Sequence, residues 1–284
     1  MSDAHRVVLA GTGSTITVHG TPVPRLGVGT FRLRGAVCRR AVRGALELGY
    51  RFLDTARSYD NEPDVGAAIV ESGVPRDQVF VTTKLWLTDV APVSVRPAVE
   101  DSLRALGTEY LDLVLIHWPP AERLQLGAIF DALTALRAAG KVRHLGVSNF
   151  PPKLMSHALA LAPVFTNQVE YHPYLAQPEQ LRLAEEHGTV LTAYAPLGSG
   201  FVLRDRTLAE IAYARGVAPA QIALRWLLDH ERVIAIPRAA DARHQAANLR
   251  VFEVSLSDDE RRRIDGLERD MRLYDPPYAP RWNG

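Results

Sequence analysis

The chain has 284 residues, 47% of them hydrophobic, and Lys+Arg 33 set against Asp+Glu 32 leaves a formal net charge of +1. That balance argues against the basic footprint of a nucleic-acid or anionic-lipid binder, and the apolar content suits a single large α/β domain spanning residues 1–284. A lone Cys38 excludes an internal disulfide and fits a reducing cytosol; Arg34, Arg39 and Arg40 beside it read as a solvated helix face.

Residues 1–13 lack the charged and apolar regions of an export signal and are expected to form a flexible tail. No apolar run approaches the roughly 20 residues that span a bilayer, so a soluble cytoplasmic protein is expected, acting as a monomer. STITVHGTPVP then alternates around His19-Gly20 and predicts a hairpin plugging a barrel floor. Eight strand candidates follow at 26–31, 51–56, 79–85, 110–118, 142–149, 164–171, 189–196 and 232–238. Between them lie amphipathic stretches such as AVCRRAVRGALEL, VSVRPAVEDSLRAL, GAIFDALTALRAA and PAQIALRWLLDH, several stopped by glycine, as at Gly49, Gly107 and Gly140. Alternating strand and helix over this length predicts a (β/α)8 barrel rather than a doubly wound sheet. SLSDDERRRIDGLE (255–268) reads as an extra C-terminal helix capped by Ser257, and the Pro- and aromatic-rich tail MRLYDPPYAPRWNG as an irregular strap across one barrel end.

Active sites of this fold gather at the C-terminal strand ends. RFLDTARSYDNE (51–62) delivers Asp54 and Tyr59 there, and the next two strands deliver Lys84 and His117. Only Lys84, Lys141 and Lys153 are lysines in an arginine-rich chain, a mild sign that an ammonium is wanted. A phenol has a pKa of about 10 and is a reluctant acid at neutral pH; an adjacent ammonium is expected to lower it. Asp54 would keep that ammonium charged, and His117 would polarise a carbonyl oxygen. Each residue taken alone fits packing or a surface ion pair; four at consecutive strand ends point to proton delivery to a carbonyl, with the hydride from a cofactor.

The segments GYRFLDTARSYDNEPDVGAAI, VTTKLW, LDLVLIHWP, GKVRHLGVSNF, NQVEYHPYL and AYAPLGSG resemble, in order, the signature stretches of the aldo-keto reductases, from about Val23 to the C-terminus. The resemblance implies NAD(P)H-dependent carbonyl reduction with Tyr59 as proton donor and Asp54, Lys84 and His117 in support. It implies that Ser148, Asn149 and Gln168 bind the nicotinamide carboxamide and that Tyr194 stacks on its ring. Leu197 and Ser199 would border the pyrophosphate, and Thr30 and Asp54 would lie near the ribose. In IPRAADARHQAAN (236–248) the positions of the family's usual Lys-Ser/Thr, Arg and Asn hold Arg238-Ala239, His244 and Asn248, so the Asn is kept and the others depart. Arg238 can still clamp a 2′-phosphate, whereas Ala239 offers no hydroxyl and His244 carries only a fractional charge. NADPH is therefore expected, with NADH tolerated.

Phe31, Trp86 and Trp118 match positions lining the family's substrate pocket. The short stretch PPAERLQLG after the fourth strand and the brief tail predict an open pocket, similar to bacterial 2,5-diketo-gluconate and methylglyoxal reductases. Small aldehydes, α-dicarbonyls and keto-sugars are the expected substrates. GTGSTI (11–16) precedes a hairpin, not a helix, and is no dinucleotide fingerprint. A Schiff-base aldolase through Lys84 is disfavoured by Asp54, which keeps the amine protonated. A metal-dependent hydrolase using His117, His172 and Asp54 lacks a His-x-His strand end, so no metal is expected. A non-catalytic NADP(H)-binding sensor on the same fold is the remaining alternative.

Overall fold

The computed structural model describes residues 14–120 and 126–282. The expected tail at 1–13, the opening of GTGSTI and most of the loop in PPAERLQLG lie outside the described residues. The chain opens on an antiparallel hairpin of β1 (Thr15–Val18) and β2 (Thr21–Pro24), with Val18 opposite Thr21. Its two turn residues, His19 (φ 46°) and Gly20 (φ 78°), are both left-handed, as a two-residue hairpin connection with the strands' own twist demands.

Eight parallel strands follow in chain order: β3 (Val28–Gly29), β4 (Phe52–Asp54), β5 (Phe80–Leu85), β6 (Leu111–Ile116), β7 (Val142–Ser148), β8 (Val164–Glu170), β9 (Val190–Tyr194) and β10 (Val233–Ala235). Each pairs with the next, and a parallel bridge from Leu26 to Ala235 with Gly27 N donating to Ala235 O at 2.9 Å joins last to first. The sheet is thus closed into the expected (β/α)8 barrel. Helices α1 (Gly35–Glu47), α2 (Glu62–Ser72), α3 (Pro92–Leu106), α4 (Leu126–Ala138), α5 (Pro152–Leu161), α6 (Pro178–His187), α7 (Arg206–Arg215) and α8 (Pro219–Asp229) run between the strands, with α9 (Ala242–Leu249) after β10. Four of them begin on proline, whose missing N–H is one no helix start can pair internally. The predicted stop at Gly107 is left-handed (φ 62°). The extra helix α10 (Asp258–Asp265) carries the expected cap, a reciprocal box in which Glu260 N donates to Ser257 Oγ and Ser257 N to Glu260 Oε2.

Several strands are shorter than the apolar runs implied. β10 stops at Ala235 because Pro237 has no N–H to continue the ladder, and β9 stops at Tyr194 because Ala195 turns left-handed (φ 47°). The barrel interior is filled by Phe52, Phe80, Leu113, Leu115, Phe165, Val190 and Ile234, and Val18 and Val23 of the hairpin join that cluster, so the floor is plugged. The larger apolar layer lies between strands and helices. Cys38 is part of it, its thiol pushed up to about 12 by burial and then by Asp64, which makes it unreactive. No helix among the described residues is long and apolar enough to cross a membrane.

Candidate active site

Asp54 pairs across the sheet with Thr82, and Lys84 with Leu115, so the ends of β4, β5 and β6 stand side by side at one rim. After β4 the chain makes a 3-10 turn over Arg57–Tyr59 that ends on left-handed Asp60 (φ 53°). Two ties hold this turn. Arg57 donates to Asp89 Oδ2 (2.8 Å) and Ala98 O (2.9 Å). Buried Asn61 donates to Thr30 O (3.0 Å) and Leu33 O (2.8 Å) while accepting from Thr55 Oγ1 (2.6 Å). A carboxylate and a phenol five residues apart are thereby folded back onto one centre.

Lys84, with no exposed surface, is that centre. Its Nζ lies 2.5 Å from Asp54 Oδ1, 2.8 Å from Thr55 O and 3.4 Å from Tyr59 Oη. Gln168 Nε2 donates to the other Asp54 oxygen at 2.7 Å. Burial raises the Asp54 carboxyl and lowers the Lys84 amine, and each partner's charge opposes the shift in the other. His117 stands over the same space, its ring 5.7 Å from that of Tyr59 and its Nδ1 3.5 Å from Ser58 Oγ. Burial, and then the Lys84 charge, push it well below the usual histidine range. The imidazole is neutral and can donate a hydrogen bond without being an acid.

Tyr59 departs from expectation. Its phenol is raised well above the ordinary value, by burial first and then by Asp54, Tyr194 and Tyr274. The expected acidification by Lys84 is not realised in this state. Lys84 is in contact with Asp54 and stands almost an ångström farther from the phenol, so burial, and after it the Asp54 charge, prevail at Tyr59. The proton is therefore firmly held.

The expected nicotinamide ligands also converge. Tyr194 Oη donates to Asn149 Oδ1 (2.9 Å); Asn149 Nδ2 donates to His117 O (3.0 Å) and lies 3.1 Å from Ser148 Oγ. Ser148 Oγ donates to Gln168 O at 2.8 Å. With Nε2 given to Asp54, Gln168 keeps an oxygen to which no described residue donates, the acceptor that a carboxamide N–H needs. Asn149 reaches this place through a left-handed backbone (φ 62°), which asparagine tolerates better than most residues. Thr30 is buried and spends its hydroxyl on Asp54 O (3.0 Å). Leu197 is half-buried and Ser199 exposed in a loop with left-handed Ser199 and Gly200. Arg238 and His244 are exposed and Asn248 is buried, the last two on α9. A flat phenol, a cluster of amide and hydroxyl groups and a free guanidinium beyond them fit a nicotinamide dinucleotide.

Trp86 meets His117 (ring centroids 5.1 Å apart) and Phe31 meets Tyr59 (5.1 Å), while Trp118 is buried alongside. Sequence reasoning missed how far the tail enters this wall. Tyr278 packs on both Trp86 (5.5 Å) and Trp118 (5.3 Å), Trp282 on Trp118 (6.2 Å), and Tyr274 on Tyr194 (5.5 Å), with its Oη 3.2 Å from Ser199 Oγ. The wall beside Tyr59 and His117 is thus built by the strap as well as by strand ends. Glu170, fully buried at the end of β8, holds the strap by accepting from Leu273 N (2.9 Å) and Tyr274 N (3.0 Å). A charged residue closing a strand that is otherwise enclosed was the available sign.

The chain matches the sequence model of the aldo/keto reductase family over residues 25–269. It belongs to that family. It is 38% identical over 266 residues to the methylglyoxal reductase DkgB of Escherichia coli O157:H7, covering 92% of this chain and 99% of the relative. It is 39% identical to the 9,11-endoperoxide prostaglandin H2 reductase of Trypanosoma cruzi (strain CL Brener), over 92% and 94% of the two chains. The crystal structure of a candidate 2,5-diketo-D-gluconic acid reductase B superposes with a TM-score of 0.92 at 40% identity, covering 95% of this chain and 98% of that one. This aldo/keto reductase is therefore an oxidoreductase of a family that uses nicotinamide cofactors on small carbonyl compounds.

Proposed function

We propose that the protein reduces aldehydes or ketones to alcohols with NADPH, and that Tyr59 supplies the proton. The single observation that carries this reading is the Lys84 ammonium set between Asp54 and the Tyr59 phenol at the barrel mouth. A carbonyl oxygen lying between Tyr59 and neutral His117 accepts two hydrogen bonds, which strengthen as the oxygen becomes an alkoxide. When bound, NADPH supplies the hydride that adds to the carbonyl carbon and leaves as NADP+. The phenol proton goes to the oxygen, and the resulting phenolate is stabilised by Lys84 until solvent reprotonates it. A raised phenol suits this order, because the proton is retained until a stronger base, the alkoxide, forms. Small aldehydes, α-dicarbonyls and keto-sugars remain the substrate classes that an aromatic throat with a polar end favours.

An NADPH-oxidation screen over a carbonyl panel, run beside Tyr59→Phe, tests this. The variant keeps its ring contacts with Phe31 and His117, so folding is preserved while turnover falls by roughly 10²- to 10⁴-fold. Full activity in the variant overturns the assignment.

A further inference from the structure

His117 is neutral, so one of its ring nitrogens carries a hydrogen and the other a lone pair. Only the tautomer whose hydrogen sits on the nitrogen facing the substrate can donate to a carbonyl oxygen. Carbonyl reduction at this site therefore needs a group that chooses the tautomer. Most of what surrounds the imidazole cannot do so. Trp86 and Tyr59 meet it edge to face, at 5.1 and 5.7 Å between ring centroids, which fixes its plane and pairs with neither nitrogen. Asn149 Nδ2 donates to the main-chain oxygen of His117 at 3.0 Å and leaves the ring alone. Lys84 acts on the ring only through its charge.

Ser58 is the exception. Its Oγ lies 3.5 Å from His117 Nδ1, and neither atom has another hydrogen-bond partner among the described residues. The opposite nitrogen, Nε2, has no partner among them either and is not sealed from solvent, so it remains available to a ligand. Ser58 is half-buried at the centre of the Arg57–Tyr59 turn, whose entry is pinned by Arg57 on Asp89 and Ala98 O. The turn that carries the phenol to the site thus carries a hydroxyl to the back of the imidazole. Nothing in the turn itself asks for that hydroxyl, which caps no helix and bonds no main-chain group.

We propose that Ser58 is a positioning residue: its hydroxyl donates to Nδ1 of His117 and so holds the imidazole hydrogen on Nε2, where it meets the substrate oxygen. This rests on the carbonyl-reductase reading and adds to it a side chain that acts only through His117. The direction of the bond follows from the other nitrogen. A carbonyl oxygen only accepts, so Nε2 must donate and Nδ1 must accept, and a serine hydroxyl can supply the hydrogen that Nδ1 then requires. The two bonds reinforce each other. As the oxygen gains negative charge and draws on Nε2–H, the Nδ1 lone pair becomes a better acceptor and the 3.5 Å contact shortens.

Wild type, Ser58→Ala and Ser58→Thr are compared by nitrogen-15 NMR of histidine-labelled, NADP+-loaded protein, with the His117 signals assigned by their loss in His117→Gln. Wild type shows the Nε2–H tautomer, Ser58→Ala shows signals averaged over both tautomers, and Ser58→Thr returns to the wild-type pattern. In NADPH oxidation with a single aldehyde, kcat and kcat/KM fall together by roughly three- to tenfold in Ser58→Ala, about the preference one hydrogen bond supplies. The NADPH dissociation constant stays within about twofold, and Ser58→Thr restores turnover. A role confined to shaping the turn would leave the nitrogen signals where they are. Wild-type His117 carrying its hydrogen on Nδ1, or an alanine variant with an unaltered spectrum, overturns the proposal. So does a changed tautomer with undiminished turnover, because the choice would then not serve the reaction. If wild type consumes no carbonyl, the reductase reading fails, and the spectra alone decide whether Ser58 sets the tautomer.

Discussion

Replacing Lys84 by Met removes the ammonium and retains most of the stem. Asp54, 2% exposed, then keeps one donor, the Gln168 amide, where it had two. Breaking a buried pair from one side costs about 3–5 kcal/mol, because the remaining charge is left in a dry site. Taking about 3 kcal/mol per M of urea for a chain of this size, the denaturation midpoint drops by roughly 1–1.7 M. The double variant Asp54→Asn/Lys84→Met has no stranded charge and recovers to within about 1–2 kcal/mol of wild type, yet stays inactive, since nothing then stabilises the phenolate. The pH dependence gives a second handle. In Lys84→Met the folded Asp54 carboxyl titrates above its unfolded value of 3.8, where burial already drives it. Such a group favours the folded state when protonated, so the deficit is small below pH 3.8 and grows as pH rises through the folded pKa. Urea melts of wild type, Asp54→Asn, Lys84→Met and the double variant at several pH values, with NADPH oxidation alongside, read out the whole cycle. A Lys84→Met protein as stable as wild type at neutral pH, or a double variant that regains turnover, refutes the reasoning.

Arg238→Ala should raise the KM for NADPH while leaving that for NADH within about twofold, because only the former has a 2′-phosphate for the guanidinium; steady-state kinetics with both cofactors check this. His144, wedged against Phe165 and hydrogen-bonded to Thr21 Oγ1 at the barrel floor, has its pKa lowered to about 4 by burial and then by His19. Its stability contribution is complete above the unfolded value of 6.5 and is lost as pH falls toward 4; in His144→Gln, thermal melts should lose that slope. Glu170→Gln turns one strap acceptor into a donor facing main-chain N–H groups. It should speed proteolysis within residues 271–282 and raise substrate KM several-fold; unaltered digestion kinetics count against the clasp.

The barrel and its polar rim were legible because period-2 and period-3.6 patterns mark strands and helices, and polar residues at strand ends break those patterns. Asp54, Tyr59, Lys84 and His117 were found that way, and the structure brings all four together. The strap was not readable in the same terms. Tyr274, Tyr278 and Trp282 sit in an aperiodic segment, and nothing local specifies which rings they meet. The Tyr59 phenol illustrates a different limit. Its rise comes from desolvation and then from the Asp54 charge and the neighbouring Tyr194 and Tyr274, and none of these is written in residue spacing.

Glu170 grips the tail by the amide hydrogens of positions 273 and 274, leaving their side chains out of the bargain. Any residue except proline could stand at either place and still be fastened. Seating and selectivity are thereby uncoupled: the segment that frames the substrate can drift in sequence, acquiring new rings or charges, without coming loose from the barrel that performs the chemistry.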